Sequence, residues 1–234
     1  MTDSKIIVAL DYADAKSALN LVAQLDPNLC KLKIGKELFT ASGPQLVEKI
    51  VNQGFKVFLD LKFHDIPSTV AKACTAASNL GVWMLNVHAS GGLSMMQAAL
   101  EGVHKSQYPA HLIAVTVLTS MDQTTFNQLG IQKTIAQQVV DLALLTQQAG
   151  LHGVVCSALE TASLRQQLRS EFCLVTPGIR LDDNTSSVTQ DDQSRVVTPP
   201  QAIKNGASYL VIGRPITQAS NPLLSLQQIV SSIN

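Results

Sequence analysis

The sequence predicts a single-domain (β/α)8 TIM barrel spanning residues 1–234. Three observations carry that expectation. Eight short apolar, β-prone runs recur along the chain, and segments of helical periodicity separate them. The first run leads into Asp11-Tyr12-Ala13-Asp14, without the glycine-rich turn that an open doubly wound sheet carries there. The chain length, 234 residues, also lies close to the ~250 that eight strand–helix cycles need.

The strand runs occupy residues 5–11, 29–35, 56–62, 84–88, 112–118, 153–157, 174–177 and 209–213. After the first, residues 15–25 set Ala18, Leu21, Val22 and Leu25 at spacings of three and four, giving one apolar helical face. Gly43-Pro44 opens the next helix and Gly54 closes it, since proline suits a helix start and glycine its end. Ser68, just past Pro67, is the expected N-cap of a helix running to Gly81. Residues 133–149 are amphipathic up to Gly150, and Thr198-Pro199 starts a short helix ending near Gly206.

Composition removes several classes of function. Seventeen Lys and Arg balance seventeen Asp and Glu, and no basic run exists, so nucleic acid is not an expected partner. The apolar stretch Ile6-Ile7-Val8-Ala9-Leu10 is too short for the core of a signal peptide, and no 18-residue apolar run follows. The expectation is a cytoplasmic chain with no membrane partner. Cys30, Cys74, Cys156 and Cys173 form no Cys-x-x-Cys, so they read as reduced thiols with neither a metal site nor a disulfide framework.

In such barrels the reacting groups gather at the C-terminal ends of the strands. There the chain places Asp11, Lys33, Asp60 with Lys62, His88, Thr119 and Arg214. The densest signal is Val57-Phe58-Leu59-Asp60-Leu61-Lys62-Phe63-His64-Asp65-Ile66-Pro67. Strand alternation sends Asp60 and Lys62 to one face and Leu59 and Leu61 to the other. Two charges on one face of a buried strand must pair or do chemistry. An isolated Asp-x-Lys is equally a structural ion pair, but a convergent ring of polar strand ends is not explained that way. His88 reads either as a hydrogen-bonded strand-end residue or as a member of the ring.

A second signal lies at the last two strands, which run into Thr176-Pro177-Gly178-Ile179-Arg180 and Val211-Ile212-Gly213-Arg214-Pro215-Ile216. The loops after strands seven and eight are the common phosphate site of these barrels. Gly178 and Gly213 let backbone approach an anion, and Arg214 offers a planar fork of donors. Between them, residues 181–197 lack an apolar period through most of their length, which reads as a lid over the site or as a surface insertion. Asp60 and Asp65 favour an ammonium on Lys62, so Lys62 is suited to donating a proton rather than attacking a carbonyl. Above a phosphorylated ligand, that array suits decarboxylation: a carboxylate destabilises the departing group and an ammonium stabilises the carbanion.

These motifs, with Val8-Ala9-Leu10-Asp11, Lys31-Leu32-Lys33-Ile34-Gly35 and Val115-Thr116-Val117-Leu118-Thr119-Ser120, resemble the orotidine 5′-phosphate decarboxylase family in its bacterial form. The likeness runs along essentially the whole chain. It implies cofactor-free conversion of orotidine 5′-monophosphate, a small nucleotide substrate, to UMP and CO2, the last step of de novo pyrimidine synthesis. It further implies that Lys62 protonates C6, Asp60 faces the departing carboxylate, Lys33 bridges Asp60 and the ribose, and Asp11 meets a ribose hydroxyl. Thr119 would meet the pyrimidine and Pro177 would line the substrate site; Gln193, Arg214 and the Gly213 backbone would hold the phosphate, with Arg180 supporting the lid and Gln190 competing for the place of Gln193. The family's homodimer would share active sites, with Asp65, Ile66 and Thr69 reaching the partner's site. The rival reading is a magnesium-dependent sugar-phosphate decarboxylase or synthase of the same barrel group, which shares Asp-x-Lys-x-x-Asp.

Overall fold

The computed structural model describes residues 3–181 and 197–233. Eight parallel strands close into a barrel in sequence order, each hydrogen-bonded to the next and the last to the first. The elements are β1 (Ile6–Leu10), α1 (Ala15–Val22), β2 (Lys31–Gly35), α2 (Lys36–Asn52), β3 (Val57–Phe63), α3 (Pro67–Ser78), β4 (Met84–His88) and α4 (Gly92–His104). There follow β5 (His111–Val115), α5 (Gln123–Asn127), α6 (Ile135–Gln148), β6 (Gly153–Val155), α7 (Thr161–Arg165), β7 (Cys173–Thr176), α8 (Pro199–Lys204), β8 (Tyr209–Ile212), α9 (Arg214–Thr217) and α10 (Pro222–Ser232).

Burial on both faces of a parallel sheet makes the strands read as nearly continuous apolar runs, yet alternation still sorts them into two layers. Along β1, Ile6, Val8 and Leu10 join the core beneath the helices, whereas Ile7 and Ala9 join the barrel interior. Phe58, Met84, Ile113, Val175 and Val211 fill the same interior. Following this inward parity toward the strand ends gives Asp11 after Ala9, Asp60 after Phe58, Asn86 after Met84 and Gly213 after Val211. On β2 the inward positions are Lys31 and Lys33, because Leu32 and Ile34 belong to the outer core. The apolar interior is therefore capped by charge at its upper end, where the strands finish.

Several local expectations change. Ser68 is not the N-cap of α3: Ile66 takes that position, Pro67 occupies the first turn, and no side chain caps the helix. Proline at the first helical position removes one of the unpaired N–H groups and presets φ for the helix, and the Thr69 N–H is taken by the Ile66 carbonyl at 3.1 Å. Helical structure also starts before Gly43-Pro44, at Lys36, and Gly43 (φ 68°) breaks it into two pieces. That backbone conformation suits glycine alone among common residues. The capping box of α6, in which Thr134 and Gln137 satisfy each other's backbone, was not anticipated. The largest departure is in β3. Leu59 pairs with Leu85 and Phe63 with Val87, so Asp60, Leu61 and Lys62 together face the single residue Asn86. This bulge puts Lys62 at φ 53°, the one positive φ of a non-glycine among the described residues.

The four cysteines carry free thiols. Burial pushes the thiols of Cys30 and Cys74 up to about 12, so they are inert as nucleophiles. Among the described residues, no helix is long and apolar enough to cross a membrane.

Candidate active site

At the upper mouth of the barrel, charges alternate in sign along a short path. Lys33 Nζ lies 3.0 Å from Asp11 Oδ1 and 3.7 Å from Asp60 Oδ2. Lys62 Nζ lies 2.6 Å from Asp60 Oδ1. Neighbouring β2 and β3 place these groups together, with Gly35 opposite Asp60 in the register. Asp60 is the more enclosed of the two anions, its side chain 13% exposed against 69% for Asp11. Burial alone would raise its pKa; the Lys33 and Lys62 ammonium groups, with hydrogen bonds from Lys62 and Asn86, hold it below the ordinary carboxylate range. Asp60 is therefore a buried anion at neutral pH, stabilised from two sides.

Asn86 is the residue that sequence reasoning missed. Its side chain is fully buried. The amide donates from Nδ2 to Asp60 Oδ1 over 2.7 Å, and its Oδ1 accepts the Lys62 backbone N–H over 2.8 Å. The chemistry fixes the amide's orientation, since an ionised carboxylate only accepts and a backbone N–H only donates. A signal existed in the sequence: Met84, Asn86 and His88 share one parity, and Asn86 is a polar residue in the middle of the apolar run of β4, on the interior side with Met84.

Below and beside the array opens a cavity of about 520 Å³. Asp11, Lys33, Asp60 and Lys62 form one wall, and Phe58, Val115, Val155 and Val211 form an apolar floor. Thr119, Pro177, Gly178, Arg180, Gly213 and Arg214 complete it on the side of β5, β7 and β8. A volume of this size, with one charged wall and one cationic end, holds a ligand the size of a nucleotide. Gly178 has φ 80°, and an added Cβ on Gly213 would stand 3.7 Å from the Ala9 methyl group and 3.8 Å from Asp11. A side chain at Gly213 would therefore line the cavity beside Arg214 at ordinary contact distance from Ala9 and Asp11.

Within one chain the structure brings together Lys33, Asp60 and Lys62 but leaves Asp65 apart. Asp65 is exposed, and its carboxylate accepts the Ile66 backbone N–H over 2.6 Å. Asp65, Ile66 and Thr69 lie outside the cavity lining of the described residues, and Ile66 is 64% exposed. His88 is also outside the lining; its ring lies against that of His64, tilted by 40° with 5.6 Å between centroids. Burial, then His64 and the nearby lysines, push its pKa below the ordinary value. Gln193 and Gln190, and the lid expected over 181–197 in all but its end residues, lie outside the described residues. No group of three His, Cys, Asp or Glu among the described residues is arranged to hold a metal ion.

Comparison with known proteins places this geometry. Residues 4–229 match the orotidine 5′-phosphate decarboxylase / HUMPS family. The chain is 57% identical over 236 residues to an orotidine 5′-phosphate decarboxylase of Nitrosococcus oceani, covering 100% of this chain and 99% of that one. A second relative of the same name, from Nitrosospira multiformis, is 58% identical over 233 residues, covering 100% of this chain and 95% of its own. Among solved structures, orotidine 5′-phosphate decarboxylase from Lactobacillus acidophilus superposes with a TM-score of 0.88 at 35% identity, covering 99% of this chain and 100% of that one.

Proposed function

This chain belongs to the orotidine 5′-phosphate decarboxylase / HUMPS family, and from that premise we infer that it decarboxylates orotidine 5′-monophosphate to UMP and CO2. The observation that carries the reading is the alternating array Asp11–Lys33–Asp60–Lys62 on one wall of a cavity whose other end carries Gly213 and Arg214. The sugar-phosphate reading is not favoured, because full-length relatives at 54–58% identity are named orotidine 5′-phosphate decarboxylase.

The reaction demands much of so few groups. The substrate has no β-carbonyl to absorb an electron pair, so the barrier to be lowered is ~20 kcal/mol or more. Asp60, ionised and enclosed, faces the substrate carboxylate and raises its energy in the bound state. The bond between C6 and the carboxylate breaks with its electron pair left on C6. The Lys62 ammonium stabilises that pair and passes it a proton, leaving a neutral amine that solvent reprotonates. Lys33 holds Asp60 in place and, with Asp11, meets the ribose hydroxyls. Thr119 meets the pyrimidine. Gln193, the Gly213 N–H and Arg214 take the phosphate, Arg180 supports the segment over it and Pro177 lines the site beside it; the phosphate's binding energy is realised in the transition state at the distant reacting carbon.

The second carboxylate of the motif belongs to a neighbouring copy in this reading. Asp65, Ile66 and Thr69 stand exposed on the rim, away from their own cavity, and so are available to close the site of a partner subunit in a homodimer. The reaction needs no cofactor, and the chain works in the cytoplasm.

Loss of substrate absorbance tests the function, using purified protein dialysed against EDTA and orotidine 5′-monophosphate. Full turnover in chelator is expected; activity that vanishes there and returns with magnesium would favour the rival, and no turnover in either would end the proposal. A Lys62→Ala chain co-assembled with an Asp65→Ala chain should regain one working site per dimer. Verified heterodimers without regained activity would refute the shared site.

A further inference from the structure

We propose that Asn86 is a positioning residue for the decarboxylation, holding Asp60 and Lys62 at their working separation across the β3 bulge. The inference rests on the function proposed above and extends it to a residue that touches neither the cavity nor, in this reading, the substrate.

Over the bulge, Asp60, Leu61 and Lys62 have one residue opposite them on β4, so the regular ladder of peptide hydrogen bonds is interrupted there. A buried N–H left without an acceptor is strongly disfavoured. Asn86 Oδ1 supplies that acceptor to the Lys62 N–H at 2.8 Å. It does so where Lys62 adopts φ 53°, a conformation that a long L side chain adopts only when its surroundings impose it. The same amide uses its other end on Asp60 Oδ1, at 2.7 Å, the oxygen that also receives Lys62 Nζ at 2.6 Å. One planar side chain thus spans the backbone of the proton donor and the carboxylate of the anion. With Nδ2 on one oxygen and Lys33 near the other, Asp60 cannot rotate without losing one of them. Two reacting groups held to a fraction of an ångström are worth far more than the same groups held loosely.

The test uses Asn86→Ala and the nearly isosteric Asn86→Asp, each compared with active parent protein. Turnover by the parent is the check on the function itself, so an inactive parent refutes that reading rather than this one. Asn86→Ala is expected to lower kcat about 100-fold, with UMP affinity changed less than about threefold. Asn86→Asp keeps the acceptor for the Lys62 N–H but, when ionised, cannot donate to Asp60 and repels it. Its kcat is expected to be low at pH 7.5 and to rise at least about fivefold relative to parent as pH falls toward 5, because the introduced carboxyl gains a proton and becomes a donor. A merely structural residue would not give that inverted pH response. A near-parental kcat for Asn86→Ala, or a pH profile of Asn86→Asp parallel to the parent's, would overturn the proposal. Should Asn86→Ala not fold, the Asn86→Asp profile decides alone.

Discussion

Lys31 and Lys33 stand two residues apart on the inward face of β2, yet they occupy opposite chemical environments. Lys31 is 2% exposed at the lower end of the barrel. Its Nζ sits 4.9 Å from the ring centroids of both Trp83 and Tyr209, donates to the Ser4 carbonyl, and pairs with Asp3 Oδ1 at 3.1 Å. Trp83 and Tyr209 meet edge to face at 5.0 Å, and the Tyr209 hydroxyl donates to Asp3 Oδ2. Lys33 instead faces two carboxylates and an open cavity. The lower lysine is closed in by aromatic rings that leave no room for a ligand; the upper one is held by groups that a ligand can engage. The same residue type on the same strand serves cohesion at one end and reaction at the other, because the cavity opens at the C-terminal ends of the strands, where residues following β5, β7 and β8 line it.

Three perturbations separate these ends. The largest effect belongs to Lys62. Lys62→Ala and Lys62→Gly should each lower decarboxylation by about 10⁴-fold or more while UMP still binds, read by turnover and calorimetry. Glycine should also unfold at a higher temperature than alanine, by about 1 kcal/mol of stability, since it adopts φ 53° without a Cβ penalty. Turnover within tenfold of the parent, or alanine melting above glycine, would break the assignment of acid or of backbone strain respectively.

Lys31→Ala should reverse the pattern. Loss of the buried stem and of both ring contacts should lower stability by about 2–4 kcal/mol in denaturant titration, with kcat/KM changed less than about twofold. Lys31→Met should recover most of the stability, because an apolar chain of similar volume fills the cage. A tenfold loss of kcat in folded Lys31→Ala would show that the two ends are not separable.

The smallest effect is acid sensitivity. Burial would raise the pKa of Asp3, but hydrogen bonds from Lys56 and Lys31 and the charge of Lys31 lower it to about 2, from an ordinary 3.8. Asp60 is lowered as well. For a carboxylate depressed in the folded state, the stabilisation is fully present above the ordinary value and is lost as pH falls through the folded one. Stability should therefore decline between about pH 4 and about pH 2, and Asp3→Asn should shallow that decline. Asp3 is 48% exposed, so its share should stay below about 1 kcal/mol. An unaltered slope in Asp3→Asn would assign the acid loss to the upper array alone.

What could be read in the chain before folding was the coarse pattern set by neighbours in sequence, though not each local cap: the Thr134–Gln137 capping box and the Ile66 cap of α3 emerge only in the structure. Eight strand–helix cycles follow from local periodicity, and the glycine and arginine at the ends of β7 and β8 follow from strand order. Alternation is enough to put Asp60 and Lys62 on one face, but how they meet is set by the β3 bulge and the φ of 53° at Lys62. Five of the eight strand ends read from the sequence run one to three residues past the observed ones, as at 112–118 against His111–Val115, while those of β2 and β4 coincide and that of β3 falls one residue short. Asn86 escaped because its partners lie 24 and 26 residues away, and its meaning depends on a bulge that sets three residues of β3 against one of β4. The caged Lys31 escaped likewise: its rings come from residues 83 and 209. Periodicity is encoded over a few residues, whereas register and the pairing of buried polar groups arise when distant strands close the barrel, and there the fold alone selects which charge is sealed and which is left to react.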